Sequence, residues 1–172
     1  AVAFTLNYYS QDLPDYSQLK KYEPPIVTRI YAGDGRLLAE YAQEKRVFVP
    51  ADSMPDMVKN AFISAEDQNF YRHPGIDVVA IGRAAITNFL HKGGRLKGAS
   101  TITQQVAKNF LLTNERSYER KIKEAILATR MEKAMSKSQI LELYLNEIYL
   151  GQRSYGVAAA AQSYFNKPLD EL

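Results

Sequence analysis

The helical spacing of apolar residues after Pro50 constrains the fold of this chain more than any other feature of its sequence. Val58, Phe62 and Ala65 recur four and three positions apart, which predicts one apolar face of a helix. Comparable stretches follow along the chain, separated by breaks such as the His-Pro-Gly sequence at residues 73–75. The sequence therefore predicts a mainly α fold after Pro50.

Capping residues indicate where the predicted helices begin. Ser53 is the expected N-cap of the first helix and Asp77 of the second, while Thr101 and Ser136 open later helices with capping boxes. Glycines indicate where helices end, and the second helix is expected to stop at Gly93. The first predicted helix ends in the carboxylates at residues 66 and 67, a long helix runs from about residue 117 to 135, and the helix after Ser136 closes at Gly151. A last helix carries the alanines at residues 158–161 and stops at Asn166.

The segment before Pro50 has strand character. Two apolar runs, residues 26–31 and 36–41, flank a Gly-Asp-Gly turn and predict a β-hairpin, and residues 46–49 are a candidate third strand. Residues 1–6 are apolar but far shorter than the roughly 20 residues that span a bilayer. Because residues 170–172 resemble the first turn of a helix, we expect the last domain to continue beyond them. The expected parts are a membrane-proximal segment and linker at 1–25, a small β region at 26–49 and the functional domain at 50–172.

Composition limits the chemistry that the chain can perform. A net charge of +3 and an isoelectric point near 9.0 suit phosphate-bearing or anionic membrane partners, but are too mild to imply nucleic-acid binding. The absence of cysteine excludes disulfides and thiolate chemistry, and two histidines disfavour a histidine-rich metal site. Carboxylates are therefore the candidates for acid–base chemistry.

The first helix ends in two carboxylates, Glu66 and Asp67. Glu66 follows Phe62 by one turn, so helical spacing puts it at the edge of the apolar face and Asp67 on the far side. A carboxylate at the rim of a core is partly desolvated, which suits a general base. The alternative is that Glu66 is an ordinary solvated residue at a helix terminus.

A glycine-rich basic loop at residues 91–98 opens into the polar segment at residues 100–105. Glycines, hydroxyl groups and a helix N-terminus together favour an anion site, because free backbone N–H groups face the ligand. The alternative is that Thr101 and Gln104 only form a capping box. Lys108 and Arg116 follow, and taken alone such residues are most often solvated surface charges.

The helix predicted at residues 117–135 is apolar on two sides, which predicts that it is buried. Glu124 lies on this helix one turn after Arg120, so the two form either a structural ion pair or part of a site. Spacing alone favours the ion pair. In the following helix, Glu142 and Asn146 share a face, and we expect a hydrogen-bonded pair that fixes helix packing.

Five motifs, taken in order, resemble those of the family 51 glycosyltransferases, the peptidoglycan glycosyltransferase domains of class A penicillin-binding proteins and their monofunctional relatives. The resemblance covers residues 50–167. The motifs are Glu66-Asp67-x-x-Phe70-x-x-His73-x-Gly75, the run at residues 98–105, Arg120-Lys121-Ile122-Lys123-Glu124, residues 140–146, and Tyr155-Gly156-Val157 with the alanines that follow.

The resemblance implies a lysozyme-like helical domain with a smaller mobile lobe near the membrane. It implies an inverting reaction that polymerises lipid II into linear glycan strands and releases undecaprenyl pyrophosphate. Glu66 would be the general base, and Glu124 would assist at the diphosphate, directly or through Mg²⁺ or Mn²⁺, with no organic cofactor. The substrate-binding residues it implies are Asp67, Phe70, His73, Ser100, Thr101, Gln104, Gln105, Lys108, Arg116, Arg120 and Lys121.

The resemblance also implies a location and partners. The domain would lie on the extracytoplasmic side of the bacterial inner membrane, anchored there, and would serve cell-wall biogenesis and cell shape. Phe89, Leu90 and residues 110–112 would lie against lipid. Expected partners are lipid II, the growing glycan strand, membrane lipid, phosphoglycolipid inhibitors and cell-wall assembly proteins, but no nucleic acid.

Two other functions stay open at this point. A lytic transglycosylase or lysozyme-like hydrolase would also use a key glutamate, but would have no use for a basic anion site. A non-catalytic basic helical module that binds membrane or nucleic acid would explain the charge, but not a glutamate buried at Glu124.

Overall fold

A computed structural model describes residues 8–10, 13–21, 28–41, 45–90, 98–112 and 117–172 of the chain. The mainly α fold with a small N-terminal β region is confirmed. The α-helices are α1 (Asp56–Glu66), α2 (Val78–Leu90), α3 (Ile102–Leu111), α4 (Tyr118–Ala134), α5 (Lys137–Glu147) and α6 (Val157–Phe165). Short 3₁₀ helices lie at Ser17–Lys21, Ala51–Ser53 and Leu169–Glu171, and residues 8–10 are helical. The predicted stop at Gly93 lies outside the described residues.

Helix α3 is the centre of the core and packs against both α4 and α5. Ile102 and Ala107 of α3 are completely buried. The partners on α4 and α5 are also apolar and buried: Leu127, Ala128 and Met131 on α4, and Ile140, Leu141, Tyr144 and Leu145 on α5. Leu19, in the segment predicted to be a linker, is buried in the same cluster.

Among the residues that the structure describes, four short strands form two small sheets. The predicted hairpin is present, with β1 (Thr28–Tyr31) antiparallel to β2 (Leu37–Tyr41). The expectation that residues 46–49 join this hairpin as a third strand is wrong, since β3 spans only Lys45–Arg46 and pairs in parallel with β4 (Ser154–Tyr155). Arg46 explains this pairing, because its guanidinium forms an ion pair with Glu147 and lies 4.3 Å from the ring centroid of Tyr155.

Two predicted helix ends are wrong. Helix α1 begins at Asp56 with Pro55 as its N-cap, not at Ser53. A residue before proline is pushed toward extended backbone, and Met54 accordingly has φ −83° and ψ 133°, so no helix runs through it. Helix α5 ends at Glu147 rather than residue 150, since Ile148 is extended and its carbonyl accepts from the Gly156 amide at 2.8 Å.

The predicted pair on α5 fixes packing, but mainly by holding the segment before α1. Asn146 accepts from the Val49 amide at 2.8 Å through Oδ1 and donates to the Val49 carbonyl at 2.9 Å through Nδ2. Glu142 Oε2 accepts from the Ala51 amide at 2.6 Å. The amide of Asn146 also donates to the Glu142 carbonyl. These contacts connect the β region to the helical domain.

Candidate functional site

A cleft of about 420 Å³ lies between the end of α1, one face of α2 and the segment that leads into α3. Glu66 and Asp67 contribute to its α1 side, and Ser100 contributes to the α3 side. Helix α2 contributes Ala80, Arg83, Ala84 and Thr87, which are spaced three and four residues apart and form one helical face. The cleft therefore brings together the first two motifs of the sequence.

Glu66 lies in this cleft with its side chain exposed, so the predicted partly desolvated carboxylate at the rim of the core is wrong. The amide of Gln105 donates from Nε2 to Glu66 Oε2 at 2.8 Å. Asp67 is the buried member of the pair. Its backbone leaves the helix, with φ −157° and ψ 73°, so helical spacing does not describe its direction.

Asp67 connects the turn after α1 to the start of α3. Both of its carboxylate oxygens lie 2.9 Å from His73 Nε2, and Oδ2 also accepts from the Ile102 amide at 3.0 Å. The other ring nitrogen of His73, Nδ1, accepts from the Gly75 amide at 3.2 Å. The Nε2 atom therefore carries the proton that is donated to Asp67.

Gly75 lets the turn pack closely against α4. Its φ is +97°, and a Cβ at this position would lie 2.7 Å from the carbonyl oxygen of Ala128. Only glycine adopts this backbone at such a distance without strain. The Thr101 hydroxyl donates to the Gly75 carbonyl at 2.6 Å, so the turn also fixes the residue that opens α3.

The start of α3 is a capping box, as predicted. Thr101 Oγ1 accepts from the Gln104 amide at 3.1 Å, and Gln104 Oε1 accepts from the Thr101 amide at 3.0 Å. Thr101, Gln104, Asp67, Phe70 and His73 are all buried and contact the protein. Their assignment as substrate-binding residues stays a prediction. Asp67, His73, Thr101 and Gln104 take part in the contacts at the turn and the start of α3, and Phe70 lies in the hydrophobic core.

Glu124 is buried and its two oxygens face two cations. Arg120 forms an ion pair with Oε1, and the Lys121 ammonium donates to Oε2 at 2.7 Å, so the predicted ion pair is confirmed. The same ammonium donates to Ser100 Oγ at 2.7 Å. Because Ser100 lines the cleft, Glu124 holds Lys121 at its edge.

The donor set around Glu124 does not fit a divalent cation. Both carboxylate oxygens are engaged by Arg120 and Lys121, and a cation bound there would have to replace them. Within the part of the chain that the structure describes, no group of three histidine or acidic side chains is arranged to hold a metal. The Mg²⁺ or Mn²⁺ ion implied by the resemblance stays a prediction, and no step below depends on it.

The structure describes Lys108 but not Arg116. Lys108 is half-buried on α3, three residues after Gln105, so the two side chains are neighbours on the helix surface. Its side chain makes no hydrogen bond or ion pair with the described residues, while its backbone carbonyl accepts from the Leu112 amide. Arg116 lies outside the described residues, as does the basic loop at residues 91–97.

Sequence reasoning missed several residues of the site. Arg83 lines the cleft from α2, and the helical spacing of that face was the available signal. Asp77, predicted only as an N-cap, accepts from the Ala80 amide and from the Asn69 side chain, each at 2.8 Å. These two donors, the Ala80 amide first, hold the pKa of Asp77 below its usual range.

Comparison with known proteins gives consistent relatives. A sequence model described as transglycosylase matches residues 34–172. Penicillin-binding protein 1A of Rickettsia felis is 61% identical over 99% of this chain and 22% of the relative. The proteins of the same name from Neisseria flavescens and Neisseria gonorrhoeae are 49% and 46% identical, each over 100% of this chain and 21% of the relative.

The chain spans about a fifth of the length of these curated relatives. No helix in the described part of the chain combines the length and the apolar character needed to cross a bilayer.

Proposed function

The chain belongs to the transglycosylase family, and from this membership we propose that it polymerises lipid II into linear peptidoglycan strands and releases undecaprenyl pyrophosphate. The observation that carries the proposal is the exposed carboxylate of Glu66, which lies in a cleft edged by Lys121. A glycosyl transfer of this kind needs a base for the acceptor and positive charge for the leaving group.

Glu66 is the general base in this proposal. Its carboxylate is accessible from the cleft and takes the proton of the acceptor hydroxyl. The hydroxyl oxygen bonds to the anomeric carbon as the bond from that carbon to the diphosphate oxygen breaks. Attack from the side opposite the diphosphate inverts the anomeric centre.

The departing diphosphate is stabilised by cations on α3 and α4. Lys121 stands at the edge of the cleft beside Ser100, whose hydroxyl lines it. Lys108 lies one turn beyond Gln105 and makes no ion pair among the described residues, so its charge is available to a ligand. Charge-assisted contacts strengthen as charge builds on the leaving group, which places their contribution in the transition state. Arg116 belongs to the same proposal from sequence alone.

Glu124 acts on the cations rather than on the substrate in this arrangement. It is buried between Arg120 and Lys121 and fixes both side chains. Removing it would take away the counterion of both cations, and Lys121 would keep only its contact with the Ser100 hydroxyl. Phosphoglycolipids would compete for the same cations as the diphosphate.

We place the enzyme at the extracytoplasmic face of the bacterial inner membrane, where lipid II is presented. The relatives are named penicillin-binding protein 1A and this chain spans about a fifth of their length, so membrane anchoring and further partners are proposed for the whole protein. Cell-wall assembly proteins are proposed partners of that whole protein.

The experiment that tests the function compares Glu66→Gln with the parent chain. The substitution keeps the shape of the side chain and removes the base, so we expect polymerisation of purified lipid II to fall by about 10²–10⁴-fold. Gel analysis of the glycan products measures the rate, and circular dichroism checks that the helices are retained.

Glu171→Gln is the matched control, because Glu171 is exposed and does not line the cleft, so we expect the rate to stay unchanged. Full activity of Glu66→Gln would contradict the base assignment. Release of sugars from finished cell wall, without polymer formed from lipid II, would instead identify a hydrolase.

A further inference from the structure

Gln105 contacts the carboxylate of Glu66 directly, and we infer that it is a positioning residue for this base rather than a contact for the substrate. Its Nε2 atom donates to Glu66 Oε2 at 2.8 Å. The inference rests on the proposed function, since it assigns Gln105 a role that acts through the base. It also differs from the substrate-binding role that the sequence resemblance implies for Gln105.

The need for such a residue follows from the exposure of Glu66. An exposed glutamate at the last position of a helix has several accessible rotamers, and only some of them direct an oxygen toward the acceptor. One hydrogen bond to Oε2 restricts these rotamers and leaves Oε1 for the acceptor hydroxyl. A neutral amide does this without neutralising the carboxylate as a lysine or arginine would.

The position of Gln105 is itself fixed by the buried contacts at the start of α3. Asp67 accepts from the Ile102 amide at 3.0 Å, and Asp67 is the residue directly after Glu66. Thr101 donates to the Gly75 carbonyl at 2.6 Å and forms the capping box that opens the helix. The first turn of α3 is therefore held against the end of α1, and Gln105, half-buried on the next turn, is delivered to Glu66.

The test begins with Gln105→Ala in the full chain, assayed with lipid II. A positioning residue acts on the reacting geometry, so we expect kcat to fall by about 10- to 100-fold. Because the substrate loses no contact, KM changes by less than about twofold. The dissociation constant for lipid II is measured in the Glu66→Gln background, where turnover is slow, and it also changes by less than about twofold. The thermal unfolding midpoint should be unchanged.

A double-substitution cycle separates positioning from substrate binding. If Gln105 acts only through Glu66, then Gln105→Ala added to Glu66→Gln lowers the residual rate no further. If Gln105 binds substrate, the same loss appears in both backgrounds. Gln162→Ala is the matched control. The side-chain amide of Gln162, on α6, donates to Asn166, the residue after the helix, and we expect kcat and KM to stay unchanged when this contact is lost.

The outcomes distinguish this inference from the proposed function. An equal loss of rate in both backgrounds, or a dissociation constant for lipid II raised by about tenfold or more, overturns the inference and leaves the base intact. An active Glu66→Gln chain overturns the base and the inference together. A fall in kcat at constant KM that vanishes in the Glu66→Gln background supports both.

Discussion

Tyr144 of α5 has a buried hydroxyl that finds no hydrogen-bond partner among the described residues. The Tyr144 ring packs edge-on against the ring of Phe62, with 6.2 Å between the ring centroids. Phe62 lies one helical turn before Glu66 on α1. Burial, and secondly the negative charge of Glu66, raise the pKa of Tyr144 well above its usual value. The ring of Tyr144 therefore packs in the core, while its buried hydroxyl oxygen has no hydrogen-bond partner among the described residues.

We expect Tyr144→Phe to stabilise the fold. A desolvated hydroxyl without a partner is unfavourable, so its removal should raise the free energy of unfolding by about 1 kcal/mol. Tyr164→Phe is the control, since the Tyr164 hydroxyl donates to the Leu150 carbonyl at 2.8 Å and its loss should lower stability by about 0.5–1 kcal/mol. Urea titration measures both, and a destabilised Tyr144→Phe would reveal a bonded hydroxyl.

The same substitution has a pH signature. Above the usual tyrosine pKa near 10, the unfolded chain releases the Tyr144 proton while the folded chain retains it, so this residue lowers stability as pH rises. Phenylalanine has no such proton. The stability difference between Tyr144→Phe and the parent chain should therefore widen above about pH 10 and stay constant below it.

Residues whose contacts lie close together in the sequence could be predicted from it. The capping boxes at Thr101 and Ser136 and the pairing of Arg120 with Glu124 join residues at most four positions apart, so spacing was sufficient. Asp67 was misplaced because its direction depends on a backbone that has already left the helix. The contact of Gln105 with Glu66 spans 39 positions and has no local signal.

At the scale of elements, α1 and α3 meet through one buried carboxylate. Asp67 accepts a hydrogen bond from His73, in the turn after α1. It also accepts from the Ile102 amide, the first N–H group of α3, which has no partner within the helix. A negative charge at a helix N-terminus is further favoured by the helix dipole. The positions of Glu66, the proposed base on α1, and of Gln105 on α3 therefore depend on Asp67.

We expect Asp67→Asn to weaken this junction. An amide has one acceptor oxygen and presents N–H groups to the remaining donors, which should lower the free energy of unfolding by about 3 kcal/mol. Urea unfolding measures the loss. Asp56→Asn is the control, since this exposed carboxylate at the start of α1 pairs with Lys59 at the surface and its loss should cost at most about 1 kcal/mol. Equal stability of the two variants would mean that Asp67 does not hold the helices together.

The elements themselves were predictable to the extent that their signals are local. Helices α2, α3, α4 and α6 agree with their predicted spans where the structure describes them, since apolar periodicity and caps define them. The pairing of β3 with β4 joins Arg46 to Tyr155 across more than a hundred positions. Neither strand has enough residues to show a pattern of its own.

At the scale of the whole molecule, α2 has two distinct faces and no buried residue. Ala80, Arg83 and Thr87 face the cleft. The opposite side carries exposed apolar residues, with Val78 74%, Ile86 64% and Phe89 75% exposed. An exposed apolar helix face of this kind suits an interface with lipid.

Of the expected lipid contact, the structure leaves only the part on α2 exposed. Phe110, Leu111 and Leu112, which the resemblance would place against lipid, are half-buried and pack against the core cluster. Phe89 and Leu90 are exposed, as a lipid contact requires. Lipid on the apolar side of α2 would lie opposite the helix face that lines the cleft.

We therefore expect the double substitution Ile86→Ser and Phe89→Ser to weaken binding to anionic phospholipid vesicles by at least about tenfold, because two apolar side chains no longer leave water. Cosedimentation at low salt measures the partition, and the net charge of +3 is the same in both proteins. Phe165→Ser is the matched control, since Phe165 is 64% exposed on α6 and lies apart from the cleft. Polymerisation of lipid II presented in vesicles should fall with vesicle binding, while polymerisation in detergent should change little. If the double variant binds vesicles as the parent does, or if Phe165→Ser weakens binding equally, then α2 is not the lipid-facing helix.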